Sequence, residues 1–163
     1  RRVEEHLKKG WMSYTILRPS CFTEVWLTSA VGFDVENSKV QIFGDGTNPV
    51  SYISLFDVAK FAVECIDKPY AINKTIELGG PEKISQLEAV KVFEEINKKQ
   101  FDVQLIPVEA LSTQRENADD PMQKSFSGLM ECVANGDPID MSETLTEFPI
   151  KLKSVRDYVA SLV

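Results

Sequence analysis

One histidine, His6, stands among 163 residues. That scarcity removes whole classes of chemistry. A Ser-His-Asp or Cys-His nucleophile would have to use His6, which the helical pattern around it places on a solvated face. It has no Cys, His or paired carboxylate at metal-ligand spacing, so no metal is expected. Cys21, Cys65 and Cys132 are odd in number, far apart and form no C-x-x-C, which fits a reduced, cytoplasmic chain better than a disulfide framework. Asn73-Lys74-Thr75 is then a sequon in form only. No apolar run approaches the roughly 18 residues that span a bilayer, so no membrane segment is expected. Basic excess is missing as well: the net charge is −7. Residues 1–80 carry 9 basic against 10 acidic side chains, and residues 81–163 carry 9 against 15. A surface of that sign repels phosphate backbones, which argues against nucleic acid.

A glycine-rich phosphate loop is also absent. Gly44-x-Gly46 runs into Pro49 and precedes a strand pattern, while Gly79-Gly80 is followed by Pro81 and a helix start delayed to Ser85. Both read as turns in which glycine supplies a positive φ. Tyr70 and Lys74 have the Tyr-x-x-x-Lys spacing of a dehydrogenase site. That chemistry needs both on one helical face, and Pro69 before them and a strand pattern from Thr75 leave no helix.

The patterns that are present alternate between helix and strand. Val3, Leu7 and Trp11 recur four apart before Gly10 and its neighbours close a helix over residues 1–9. Tyr14–Leu17, stopped by Arg18-Pro19-Ser20, reads as a buried parallel strand. Phe22, Trp26 and Ala30 then imply a helix from Ser20 to about Val31. Val40–Phe43 and Val50–Ile53 read as short strands joined by the turn-rich residues 44–49. Ser54-x-x-Asp57 and Ser85-x-x-Glu88 read as capping boxes, the second opening a stripe of Ala89, Val92, Phe93 and Ile96. Thr75–Leu78 and Phe101–Ile106 are further strands. Asp120-Pro121 starts a helix with Met122, Phe126, Leu129 and Val133 beneath it and Gly136 as its stop. Ser154 precedes a last helix carrying Val155, Tyr158, Val159 and Leu162. The layout is α/β: the C-terminal part of a doubly wound, Rossmann-like sheet plus a small, mostly helical region. The chain opens on Arg1 inside a helical pattern, without an N-cap, and reads as part of something longer.

Chemistry is expected where a parallel strand ends, because α/β ligands sit at the carboxyl edge of the sheet. Ser20, Cys21, Phe22, Glu24 and Trp26 fall there. From spacing alone Phe22 and Trp26 read as core packing and Cys21 as a small buried residue. Glu24 reads as a general acid or, lacking a partner, as a polar helix residue.

Val3-Glu4-Glu5, Tyr14 to Phe22 (Tyr-Thr-Ile-Leu-Arg-Pro-Ser-Cys-Phe), Asp57-Val58-Ala59 and Glu77-Leu78-Gly79-Gly80-Pro81-Glu82 with Ser85 together resemble the NmrA-like atypical short-chain dehydrogenases/reductases. The resemblance implies a Rossmann fold binding NADP or NAD, of which this chain holds the C-terminal half. The missing N-terminal Rossmann half is then a partner. It assigns 1–33 and 55–79 to the end of the Rossmann sheet, and 34–54 and 80–163 to the substrate region. It places Pro19, Ser20 and Phe22 beside the nicotinamide, and Glu24, Trp26 and Tyr52, with Cys21, at the substrate. It implies catalytic residues upstream of Arg1 and a small carbonyl, enone or quinone substrate. The alternative it leaves open is a non-catalytic NADP-sensing regulator that binds a protein partner.

Overall fold

The computed structural model describes residues 2–163; Arg1, where the first helical pattern begins, lies outside them. Helix α1 (Arg2–Lys8) ends where the Gly10 N–H donates to the Leu7 carbonyl at 3.0 Å. Its expected apolar stripe is not buried: Val3 and Trp11 are exposed and only Leu7 is half-covered. Strand β1 (Thr15–Pro19) pairs in parallel with β5 (Lys74–Leu78), with Leu17 opposite Ile76. This pair carries the α/β character of the chain. One crossover between its strands holds most of the small elements.

The helix expected from Ser20 to Val31 is cut to one turn, α2 (Thr23–Trp26), followed by a 3-10 turn over Ser29–Val31. Competing partners explain the loss. The Ser20 N–H donates to the Leu78 carbonyl, the Ile53 N–H to Cys21 and the Thr23 N–H to Ile53, so residues 20–23 are held extended before a helix can start. β2 (Phe33–Asp34) and β3 (Lys39–Phe43) are antiparallel, and β3 runs parallel to β7 (Asp102–Ile106). β4 (Pro49–Val50) pairs instead with β6 (Ile84–Ser85). The two strands flanking residues 44–49 therefore belong to different sheets and do not pair with each other. Gly44 and Gly46 do turn the chain at positive φ (74° and 73°).

Helix α3 (Leu55–Glu64) starts on Ser54, whose hydroxyl accepts from the Phe56 N–H. The reciprocal half of the expected box is absent, because Asp57 turns inward and accepts from the Lys153 N–H at 2.6 Å. Helix α4 (Gln86–Asn97) has the complete box: Glu88 N–H to Ser85 Oγ, and Ser85 N–H to the Glu88 carboxylate. The Ser85 N–H, and after it the Ser85 hydroxyl, hold the Glu88 carboxyl below its usual range. Helices α5 (Val108–Glu116) and α6 (Pro121–Asn135) pack on each other. The α6 stripe is another correction. Met122, Phe126 and Leu129 face outward, while Ser127, Glu131, Val133 and Ala134 are buried. α7 (Ser142–Glu147) and α8 (Val155–Ala160) follow, the latter capped by a Ser154–Asp157 box; Leu162 beyond it is exposed.

Two apolar clusters result. One gathers Phe33, Ile42, Phe93, Phe101 and Val159 between the β2-β3-β7 sheet and the helices α4 and α8. The other gathers Phe61, Ile76, Leu78, Met141 and Phe148 around the β1-β5 pair. The two clusters adjoin at residues 21–22 and 52–53, where Cys21 and Tyr52 belong to the first and Phe22 and Ile53 to the second.

Candidate functional site

β1 ends at Pro19 and β5 at Leu78, so their carboxyl ends lie side by side, with Ser20 hydrogen-bonded to the Leu78 carbonyl at 2.8 Å. Pro19, Ser20 and Phe22 are half-buried here; Phe22 forms a parallel bridge with Ile53. Ser20 Oγ donates to the Asp137 carboxylate at 2.5 Å. Asp137 is itself fixed through its backbone: its N–H donates to Pro49 and its carbonyl accepts from Ser51. With its proton committed to Asp137, the Ser20 hydroxyl has only lone pairs left for a ligand.

The residues expected at the substrate are divided between surface and interior. Cys21 and Tyr52 are buried. Burial, reinforced by the charge of Asp137, pushes the Cys21 thiol up to about 12. Burial first, and then Cys21, drives the Tyr52 hydroxyl upward too. Both keep their protons at neutral pH and carry no charge. Glu24 has the partner that the sequence hides: it accepts from Ser54 Oγ at 2.6 Å and from the Leu55 N–H at 3.0 Å, so it caps α3. Trp26 meets Phe43 edge-on, with ring centres 6.4 Å apart. Trp26 and Tyr52 also border a void of about 10 Å³, at the lower limit for a single water. The structure therefore brings Ser20, Cys21 and Tyr52 together, and attaches Glu24 to a helix end.

Gly79 and Gly80 belong to this edge for a reason other than torsion. Neither has a positive φ, contrary to the turn reading. A Cβ on Gly80 would stand 1.8 Å from the Tyr52 carbonyl oxygen, and one on Gly79 2.8 Å from Ser51 Cβ. The two glycines let residues 51–52 lie against the strand end. Gly44 faces Ala134, and Gly46 faces Ile42 and Leu87. Among the described residues no glycine-rich loop opens a helix in the manner of a pyrophosphate cradle.

Tyr70 and Lys74 sit on a 3-10 turn and a strand, as the flanking proline implies, with the lysine nitrogen 5.6 Å from the tyrosine ring centre. The Tyr70 hydroxyl donates to Glu143, and burial and that carboxylate raise its pKa, opposite to what a catalytic tyrosine requires. Among the described residues no group of three or more His, Cys, Asp or Glu could hold a metal ion, and no helix is long and apolar enough to cross a membrane.

Asp137, Ser51 and Met141 were not singled out from the sequence. Ser51 Oγ accepts from the Ile139 N–H and the Met141 sulfur from the Gly79 N–H. Asp137 lies 117 residues from Ser20, and its only local signal is the preceding helix stop at Gly136.

No family model matches the chain. Pinoresinol reductase 1 of Arabidopsis thaliana is 23% identical over 167 residues, covering 96% of this chain and 53% of that protein. A bifunctional pinoresinol-lariciresinol reductase of Linum perenne is 30% identical over 115 residues, covering 68% and 37% respectively. The solved structure described as AtPrR2 with NADP+ and (+)pinoresinol superposes with a TM-score of 0.78 at 20% identity, over 99% of this chain and 55% of that one. The chain thus spans about half the length, or less, of the relatives it matches. In sequence it is similar to pinoresinol and pinoresinol-lariciresinol reductases, and its fold is that of the C-terminal portion of such reductase structures.

Proposed function

We propose that this chain is the substrate-side half of an NAD(P)-dependent oxidoreductase that uses NADP to reduce a small organic molecule. Residues 1–33 and 55–79 complete the Rossmann sheet in this reading, and 34–54 and 80–163 form the substrate side. The observation that carries it is the carboxyl edge of β1-β5, where Pro19 and the Ser20 hydroxyl stand half-open beside Gly79-Gly80. The similarity to reductases, one of them solved with NADP+ and (+)pinoresinol, supports it. The relatives compared are named as reductases, so the regulatory alternative gains nothing from them.

The bound dinucleotide supplies a hydride. Pro19, Ser20 and Phe22 wall its nicotinamide end, with Ser20 oriented by Asp137 to accept a hydrogen bond. Trp26 and Glu24 border the substrate. Cys21 and Tyr52, protonated and buried, back that surface and add no charge to it. The substrate in this reading is a small carbonyl, enone or quinone, or a molecule related to pinoresinol, as the names of the relatives suggest.

Replacing Ser20 with Leu in the full-length protein tests the assignment. We expect NADPH affinity to fall about tenfold while stability changes by about 1 kcal/mol, because an edge residue leaves no core cavity. Fluorescence titration and thermal melts read the two effects. Unchanged affinity with a large drop in melting temperature would assign Ser20 to packing instead.

A further inference from the structure

The segment that carries Asp137 is fixed without help from its carboxylate. Val50 and Asp137 form an isolated parallel bridge. The Asp137 N–H donates to the Pro49 carbonyl at 3.0 Å, its carbonyl accepts from the Ser51 N–H at 3.2 Å, and the Ile139 N–H donates to Ser51 Oγ at 2.9 Å. Gly136 enters this segment at a φ of 88°, where a Cβ would stand 2.9 Å from the Pro49 carbonyl oxygen. The side chain is therefore free to take Ser20 Oγ–H at 2.5 Å, and no Lys or Arg among the described residues pairs with it. Cys21, next to Ser20, keeps its own proton at neutral pH, and a thiol sulfur is a weak acceptor, so the carboxylate takes the serine proton.

We propose that Asp137 is a positioning residue that holds Ser20 as an acceptor only, and that the pair thereby selects a carboxamide on the dinucleotide ring over groups that cannot donate. A serine hydroxyl left to itself donates or accepts as its partner requires, whereas a carboxylate only accepts. With its proton held by Asp137, Ser20 meets an incoming group with lone pairs alone. A carboxamide NH2 is a donor and fits them. A methyl ketone in its place has no hydrogen to give, and a carboxylate there would set lone pairs against lone pairs and a second negative charge near Asp137. A substrate hydroxyl would suit the same acceptor, so the two sources are separated by measuring the dinucleotide with no substrate present. The inference rests on the reading of this edge as the nicotinamide wall, and adds to it a selecting residue that lies 117 positions from Ser20.

The test is calorimetric binding of NADP+ and of its 3-acetylpyridine analogue, which carries a methyl ketone in place of the amide, to the full-length protein. The wild type should bind NADP+ about tenfold more tightly than the analogue, the worth of about one hydrogen bond. Ser20→Ala should cut that preference to about twofold or less. Asp137→Ala should do the same, because the released hydroxyl can turn and donate to the ketone, while Asp137→Asn, whose Oδ1 still accepts, should keep most of the preference. An Asp137 that only supports the fold would weaken both dinucleotides by one factor and leave their ratio unchanged, and that result overturns the inference. If Asp137→Ala does not fold, Ser20→Ala decides: a preference that survives it overturns the inference as well. A wild-type protein that binds neither dinucleotide overturns the reading of the edge itself, whereas tight and equal binding of the two overturns only the role given to Asp137.

Discussion

Cys21 sits where a thiolate is disfavoured: burial first, and then the negative charge of Asp137, outweigh a hydrogen bond from Ser20 and push its pKa up to about 12. An unfolded cysteine ionises near 8.5. Between those values the unfolded state has lost the proton and the folded state has kept it, so stability is intact below about pH 8.5 and declines as pH rises toward 12. The slope approaches about 1.4 kcal/mol per pH unit. Tyr52 adds to it above its unfolded pKa of about 10, since burial raises it in the same sense. Burial also raises Cys65 and Cys132, which contribute in the same sense. Urea midpoints at pH 8 and pH 10 check the Cys21 share: Cys21→Ala should lessen the decline, and an equal decline in the variant would refute the assignment. At the same scale, residue type foretold that Cys21 would be buried, and it foretold nothing about Glu24. The partners of Glu24, Ser54 and Leu55, are 30 and 31 residues away, beyond any local pattern.

Elements form where local chemistry is strong and fail where a distant partner competes. The Ser85–Glu88 and Ser154–Asp157 boxes satisfy helix amides from within four residues, so α4 and α8 start at their capping serines whatever packs on them. The segment after β1 is different, because its amides are taken by Ile53 and Leu78 and the helical spacing of Phe22, Trp26 and Ala30 is overruled. Gly79-Gly80 shows the same dependence in reverse, as glycines required by contact with Ser51 and Tyr52. Gly80→Ala should therefore destabilise the protein by about 3 kcal/mol or more, because the Cβ would meet backbone that cannot rotate away. Chemical denaturation measures it, and a loss below about 1 kcal/mol would mean that residues 51–52 yield easily.

At the largest scale the described residues form two apolar clusters, and in the proposed reading the edge at the ends of β1 and β5 carries only one end of a dinucleotide site. We expect this chain by itself to bind NADPH with Kd on the order of millimolar or weaker, since among the described residues no glycine loop opening a helix awaits the pyrophosphate. Titrating NADPH fluorescence against the chain checks this, and saturation at micromolar concentration would contradict it. The α/β class, the strands β1, β5 and β7, the capped helices and the edge holding Pro19–Phe22 were legible from residue order, because periodicity, caps and breakers act within a few residues. Pairing and facing were not. β3 joins β7 across about sixty residues, α6 turns Ser127 and Glu131 inward and Phe126 outward, and Ser20 finds Asp137 across 117. Such contacts are chosen by competition among distant surfaces for burial and for hydrogen bonds, a comparison that exists only once the chain has folded.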